Sequence, residues 1–167
     1  MAYKNFKQPE IIDISENLRL KAYKDEYEIA LSWYKDKEVY YNSEGITDIS
    51  KIPDENYVKR MYDYLKVNGE LYFIEIKEEN KFIPIGDVTL KEENLPIVIG
   101  ASQYRGIGIG KKVMQTIINR AKELGIKQIY GQKVYSYNIP SQKLHESLGF
   151  KYVKTEGNTI IYNLILN

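Results

Sequence analysis

Three glycines at every second position give the sequence its clearest chemical signal. Gly106, Gly108 and Gly110 precede Lys111 and Lys112, and they lie between a short apolar run and a long amphipathic stretch. Glycine allows the backbone to approach a ligand closely and to form turns that other residues avoid. The start of a helix presents unpaired N–H groups and the positive end of its dipole. The segment therefore predicts an anion site, most often one for phosphate.

The spacing of these glycines excludes two common phosphate loops. A Walker A loop, GxxxxGK[ST], would need a glycine where Arg105 stands and a serine or threonine where Lys112 stands. A dinucleotide-binding GxGxxG loop would need its third glycine one residue later and would open the fold rather than follow its middle. The phosphate site therefore belongs to another class of protein.

A second motif lies downstream by one predicted helix and one predicted strand. Residues 105–110, RGIGIG, fit the pattern [Q/R]xxGxG, and residues 138–150, NIPSQKLHESLGF, resemble NxxSxxLYxxxGF. In this order and at this spacing the two segments resemble the GNAT superfamily of acetyl-CoA-dependent N-acetyltransferases. The resemblance implies an α/β (α+β) fold over a single domain, residues 1–167. Its mixed central sheet of about seven strands would split into a V, with about four helices around it.

The same resemblance implies how acetyl-CoA would be held in the split. The pantetheine arm would pair with backbone around Val98, Ile99 and Gly100, and Asn138 and Ser141 would lie near that arm. Asn138 is also a good helix cap, which leaves a purely structural role open. Arg105 would contact the pyrophosphate or order the loop. The pyrophosphate would rest on the backbone amides of Arg105, Gly106, Ile107, Gly108, Ile109, Gly110 and Lys111.

The residue at position 145 departs from the family pattern. The family commonly has a tyrosine there, which reprotonates the departing CoA thiolate, whereas this chain has its one histidine, His145. An unperturbed histidine titrates near ~6.5, so His145 is a chemically reasonable acid. The alternatives are an exposed helix histidine without a catalytic role, and an acid supplied by Tyr135 or Tyr137.

The expected reaction is direct attack of a primary amine on the acetyl thioester. The chain has no cysteine, so neither a cysteine nucleophile nor a disulfide is available. An alkyl amine has a pKa near ~10 and arrives protonated, so a carboxylate must take its proton. The acidic candidates are Glu44, Glu75 and Asp87, of which Asp87 has the better position on a central strand. A backbone N–H near Ile99 or Gly100 would stabilise the oxyanion.

The pattern of apolar residues predicts the elements that position these groups. A strand over 18–22 precedes a helix capped by Asp25, residues 37–52 form a loop, and a second helix runs over 53–68. Strands then cover 71–76, 82–90 and 95–100. The glycine loop opens a helix that Gly125 ends, and a strand over 126–134, a helix begun at Asn138 and strands over 150–153 and 159–166 follow.

The composition of the chain excludes several classes of binding partner. The net charge of +1 gives no reason to expect nucleic acid or a membrane surface, no apolar run approaches the ~20 residues of a membrane span, and one histidine makes a metal site implausible. The first residues lack an apolar signal core, which predicts a cytoplasmic protein, and a homodimer is possible. Residues 33–39, WYKDKEV, loosely resemble the first-helix region of GNATs that act on ribosomal-protein N-termini and of some aminoglycoside acetyltransferases. This resemblance leaves the acceptor amine open among a peptide N-terminus, a polyamine and a drug. The alternative function is a sensor that binds acetyl-CoA without chemistry.

Overall fold

The computed structural model describes residues 5–167, so part of the N-terminal segment on which the signal-peptide expectation rests lies outside it. The strands are β1 (Ile11–Asp13), β2 (Leu18–Ala22), β3 (Glu70–Glu78), β4 (Lys81–Leu90), β5 (Ile97–Ile99), β6 (Gln128–Tyr135), β7 (Lys151–Glu156) and β8 (Thr159–Ile165). The α-helices are α1 (Leu31–Tyr34), α2 (Lys37–Asn42), α3 (Glu55–Asn68), α4 (Ile109–Glu123) and α5 (Ile139–Ser147). Short 3₁₀ helices cover Tyr27–Ala30, Ile49–Lys51 and Ser102–Tyr104.

The strands form two sheets that separate between β5 and β6. One sheet has the order β1-β2-β3-β4-β5 and the other the order β6-β8-β7. Every ladder is antiparallel, and parallel pairing occurs across the divide only at the isolated bridge between Glu93 and Tyr130. The predicted α/β fold with a V-shaped split is therefore confirmed. Residues 5–167 contain eight strands, against about seven predicted, because the short β1 was missed, and five α-helices, against about four predicted.

The point of the V lies where the β4–β5 connection meets the start of β6. The Tyr130 N–H donates to Glu92 O at 2.8 Å, and the Asn94 N–H donates to Tyr130 O at 3.0 Å. Two residues further along β6, the link is made by a side chain instead of the backbone: the Gln132 amide accepts from Leu95 N–H and donates to Leu95 O, both at 2.8 Å. Beyond this residue β5 and β6 diverge, and the edge of β5 is left without a strand partner.

Two apolar clusters support the two sides of this opening. The larger one packs α4 against both sheets through a buried stripe of Val113, Met114, Ile117, Ile118 and Ala121, as the sequence predicts. The smaller one is rich in aromatic residues and packs α1 and α3 on β3, with Tyr23, Trp33, Tyr34, Tyr62 and Phe73 as its rings. Among the helices of residues 5–167, none combines the length and apolar composition needed to cross a bilayer.

Two predictions about the segment before α3 are wrong. Asp25 does not cap a helix: its backbone is left-handed, with φ of 68°, and its carboxylate accepts from Lys66 instead. Residues 37–52 are not one loop, because α2 and a 3₁₀ turn lie within them. Each begins at an aspartate whose carboxylate accepts a backbone N–H two residues on, Asp36 and Asp48. Helices of six residues or fewer are too short to show a helical period in sequence.

Candidate active site

The glycine loop and the start of α4 border a cavity of about 670 Å³, here called the donor cavity, whose far wall is α5. Gly106 and Gly108 have φ of 74° and 90°, and a Cβ added to either would meet no other atom within 4 Å. Glycine is therefore favoured at both positions by the left-handed backbone conformation, and a side chain there would not clash with neighbouring protein atoms. Gly108 is the N-cap of α4, so the first N–H groups of a 15-residue helix lie beside this space. The loop therefore fits the predicted anion site.

Arg105 orders the loop from within. Its guanidinium donates to Ile99 O and to Gly100 O, both at 2.8 Å, and to the Glu38 carboxylate at 2.6 Å. These bonds join the end of β5 and the start of α2 to the glycine loop. Arg105 was predicted either to contact the pyrophosphate or to order the loop, and these contacts fit the second role.

The edge of β5 that faces the split carries unpaired backbone groups. The Thr89 N–H donates to Pro96 O at 3.1 Å, and Asp87 lies opposite Val98 two residues further along. Because hydrogen-bonded pairs alternate in antiparallel sheets, the backbone of Val98 faces β4, whereas Ile97 and Ile99 face the split. Gly100 already has partners for both its groups, since its N–H donates to Ile85 O and its carbonyl accepts from Arg105. The Ile99 carbonyl likewise accepts from Arg105. Within residues 5–167, the backbone groups of this edge that remain available to a pantetheine arm are therefore the Ile97 N–H and carbonyl and the Ile99 N–H.

A second cavity of about 430 Å³, here called the acceptor cavity, adjoins the first. It is bordered by α3, the β4–β5 connection, β6 and the turn after α2. Six residues line both cavities: Asn42, Ser43, Ile97, Val98, Asn138 and Ser141. The two spaces therefore meet at the edge of β5, opposite the start of α5.

Asp87 lies in the wall of the acceptor cavity and is 1% exposed. Its Oδ2 accepts hydrogen bonds from the Tyr34 and Tyr62 hydroxyls, both at 2.7 Å. Burial raises the pKa of Asp87 to about 6, although the two hydroxyls lower it and the charge of Glu44 adds to the rise. Near neutral pH the group is thus a carboxylate that still accepts a proton readily.

The other two acidic candidates occupy different places. Glu44 also lines the acceptor cavity, accepts from the Tyr57 hydroxyl at 2.8 Å and has a pKa raised by burial. Glu75 lines neither cavity and forms an ion pair with Arg19 at 2.7 Å on the β2–β3 ladder. Its prediction as a base is wrong because its carboxylate is held away from the site.

His145 is buried, at 2% exposed, so the alternative of an exposed helix histidine is wrong. Its Nδ1 lies 2.7 Å from Ser141 O, which can only accept, so Nδ1 carries the proton. Nε2 then accepts from the Gln132 amide at 3.2 Å. Burial lowers the pKa of His145, against the opposite effect of the bond to Ser141 O. The ring is therefore neutral near pH 7, and its one proton is held by the backbone.

Asn138 and Ser141 stand where the two cavities meet. Asn138 caps α5 by accepting from Ser141 N–H at 3.3 Å, and its amide lies 3.5 Å from Asn42 O. The two other tyrosines considered as acids belong to a stack: Tyr137 packs on Tyr41 and on Tyr135, with ring centroids 4.2 Å and 5.3 Å apart. Of the two, only Tyr135 lines the acceptor cavity.

Four residues that shape the site were missed in the sequence. Tyr34 and Tyr62 hold Asp87, Gln132 closes the V, and Glu38 binds Arg105. Tyr62 lies among 16 tyrosines of similar context, so no signal distinguishes it. Gln132 carried a weak signal, since a glutamine inside an apolar strand pattern must find partners when it is buried.

The site joins an anion-binding loop, an open strand edge and a buried carboxylate, an arrangement that suits transfer of an acyl group from a phosphate-bearing donor. The model of the acetyltransferase (GNAT) family matches residues 30–150. The chain belongs to this family and is an acetyltransferase of the GNAT type. A comparison with curated proteins gave no significant match.

Several solved structures share the fold. A domain from Methanocaldococcus jannaschii is 24% identical with a TM-score of 0.75, over 89% of this chain and 98% of the other. The microcin C7 self-immunity acetyltransferase MccE, in complex with acetyl-CoA and AMP, is 15% identical with a TM-score of 0.70, over 94% and 97%. RimL, a ribosomal L7/L12 alpha-N-protein acetyltransferase in complex with coenzyme A, is 14% identical with a TM-score of 0.70, over 94% and 98%.

Proposed function

We propose that this protein transfers the acetyl group of acetyl-CoA directly to a primary amine. The observation that carries the proposal is the meeting of the two cavities at the open edge of β5, with Asp87 buried beside it. A donor on one side and an amine on the other would be brought into contact there. Such positioning is worth effective molarities of ~10⁵ M or more in favourable cases.

The donor cavity suits the parts of acetyl-CoA, which supplies a reactive acetyl thioester. The N–H groups at the start of α4 and the Lys111 side chain in the cavity wall would hold the pyrophosphate. The Ile97 N–H and carbonyl and the Ile99 N–H would pair with the pantetheine amides, as an added strand does at a sheet edge. One of these two β5 N–H groups can also donate to the carbonyl oxygen of the acetyl thioester as that oxygen becomes negative.

Asp87 is the proposed general base. With a pKa of about 6 it is ionised at pH 7 to 8 and can take the proton that the attacking amine must lose. The Tyr34 and Tyr62 hydroxyls keep it oriented, because both remain protonated: burial raises their pKa values well above the usual range. Glu44, on the same cavity, adds negative charge that favours a cationic amine.

The departing sulfur needs a hydrogen-bond donor where the cavities meet. His145 was the predicted acid, but its proton is directed to Ser141 O. Ser141 lines both cavities, and its hydroxyl lies 3.3 Å from His145 Nδ1. We assign stabilisation of the thiolate to this hydroxyl, with the final proton from solvent, and we assign the positioning of Ser141 and Gln132 to His145.

The test is release of thiol from acetyl-CoA across a panel of amines that includes peptides with free N-termini, polyamines and aminoglycosides. We expect turnover on at least one class, and its loss in Asp87→Asn without loss of acetyl-CoA binding. Binding of acetyl-CoA with no thiol release on any amine would instead favour the sensor. A failure to bind acetyl-CoA at all would contradict both functions.

A further inference from the structure

The acceptor cavity carries charges of opposite sign on different parts of its wall, and the inference drawn from them rests on the proposed function. Asp87 and Glu44 supply the negative charge next to the donor site, because Asp87 lies opposite Val98 and Glu44 follows Ser43, and Val98 and Ser43 line both cavities. Lys91 and Lys133 supply the positive charge, and neither lines the donor cavity. A bound molecule would therefore meet carboxylates near the acetyl group and ammonium groups further away.

Lys91 follows the end of β4, four residues after Asp87. Alternation along a strand places residues 87, 89 and 91 on one face, and four residues span ~13 Å at ~3.3 Å each. Its Nζ lies 5.0 Å from the centroid of the Tyr64 ring, and both residues line the cavity. The ammonium is thus held at the cavity, at a distance from Asp87 that a short chain molecule can bridge.

Lys133 reaches the same cavity from β6, on the other side of the split. Its backbone N–H donates to the Asn94 side chain at 3.1 Å, which fixes this strand to the β4–β5 connection. Its charge lowers the pKa of Glu156, but that carboxylate is already paired with Lys154 at 2.6 Å. Within residues 5–167 neither Lys91 nor Lys133 forms an ion pair.

We propose that the acceptor is a small aminocarboxylate: its primary amine lies at Asp87, and its carboxylate is bound by Lys91 and Lys133. A polyamine fits the carboxylates equally well but would place its second ammonium against two lysines, and like charges at close range repel. A monoamine without an anionic group would leave both lysines unused. The cavity of about 430 Å³ is of the size that small ligands occupy.

The test compares ω-aminocarboxylates from 4-aminobutanoate to 8-aminooctanoate with n-alkylamines and α,ω-diamines of the same lengths, by thiol release from acetyl-CoA. We expect higher kcat/KM for the aminocarboxylates, with an optimum at one chain length. Lys91→Gln combined with Lys133→Gln should lower that value about tenfold, because the variant removes both ammonium partners of the substrate carboxylate at a partly exposed site. The n-alkylamines should be unaffected. Lys122→Gln combined with Lys127→Gln, both exposed and outside both cavities, is the matched control.

Equal rates on all three series, a preference for diamines, or an equal loss on aminocarboxylates and alkylamines in the double variant would overturn the inference. Calorimetric binding of the best aminocarboxylate to the CoA-saturated protein gives a readout independent of turnover. Binding that depends on Lys91 and Lys133 without thiol release would support the inference while contradicting the proposed function. Thiol release on alkylamines but not on aminocarboxylates would support the proposed function while contradicting the inference.

Discussion

At the scale of single residues, Asp87 combines burial in the wall of the acceptor cavity with a pKa that burial raises to about 6. A base must be ionised to act, so a pKa of about 6 predicts that kcat/KM is lost as the pH falls through 6 and is retained above it. Asp87→Asn keeps the shape and an acceptor oxygen for the tyrosines but cannot take a proton. We expect it to lower kcat at least ~100-fold at pH 7.5. A loss under threefold at this pH would remove Asp87 from the role of base.

The tyrosines around Asp87 allow a sharper test of the same group. The Tyr34 and Tyr62 hydroxyls favour the ionised carboxylate, so Tyr34→Phe or Tyr62→Phe should raise the pKa of Asp87. The acid limb of the pH–rate profile should therefore move to higher pH. Tyr72→Phe is the matched control, because this buried tyrosine bonds Glu70 instead and should leave the limb in place. A limb that does not move in either variant would belong to another group.

The proposed roles of Ser141 and His145 can be distinguished by how much each substitution lowers kcat. Ser141→Ala removes the hydroxyl where the cavities meet, and we expect kcat to fall ~10- to 100-fold with acetyl-CoA affinity within ~3-fold, as for other donors to a developing negative charge. His145→Phe should cost less turnover, since the imidazole proton is bound to Ser141 O. A larger loss in His145→Phe than in Ser141→Ala, confined to pH values below the histidine pKa, where the ring carries a second proton, would return the acid role to His145.

At the scale of elements, the loop before α4 is tested by comparing the two ends of this helix. Gly108 and Gly125 both have positive φ, at 90° and 77°, and at neither would a Cβ meet another atom within 4 Å. Aspartate at either site therefore incurs similar backbone strain. Only Gly108→Asp places a negative charge and bulk in the donor cavity. We expect Gly108→Asp to abolish acetyl-CoA binding in calorimetry, and Gly125→Asp to lower only the unfolding temperature. Equal affinities would contradict the phosphate site.

The split between the sheets also belongs to this scale. Gln132 supplies two hydrogen bonds between β6 and the β4–β5 connection, and His145 on α5 bonds the same amide. Three elements distant in sequence are thus joined at the point of the V. This explains how a histidine can occupy the place of the family tyrosine: it completes a buried hydrogen-bond network, which is costly to leave half satisfied.

At the scale of the whole molecule, the active-site carboxylate should cost stability. The pKa of Asp87 rises from 3.8 to about 6 on folding, so the folded state holds a proton that the unfolded state releases between these values. Stability should fall as the pH rises through this window, by about 3 kcal/mol in total, and stay lower above it. Asp87→Asn should therefore have a higher free energy of unfolding than the wild type at pH 8. This advantage over the wild type should be smaller at pH 4.

The measurement is urea unfolding of both proteins at pH 4 and pH 8, with Tyr72→Phe as a variant that leaves Asp87 unchanged. An Asp87→Asn gain that is the same at both pH values, or a loss at pH 8, would contradict the raised pKa. A gain at pH 8 combined with loss of turnover would show that the chain keeps a destabilising carboxylate for its chemistry.

Sequence reasoning succeeded where a local pattern has one structural solution. The apolar stripe of α4, the cap at Asn138 and the strand patterns around them follow from periodicity and cap chemistry within a few residues. It failed at Asp25 and at α2, where segments shorter than two helical turns carry no measurable period. It also assigned Gly100 to the ligand, although Arg105 and Ile85 already use its backbone groups.

The sequence by itself thus determined the family, the order of the elements and the location of the donor loop, because each depends on residues close together in the chain. The tertiary structure alone decided which of Glu44, Glu75 and Asp87 face a common cavity, that His145 is buried and neutral, and that Tyr34 and Tyr62 meet at one carboxylate oxygen. The physical reason is that burial and hydrogen bonding set the pKa of Asp87, and its two tyrosine partners are 53 and 25 positions away in the chain, so only the fold brings them together.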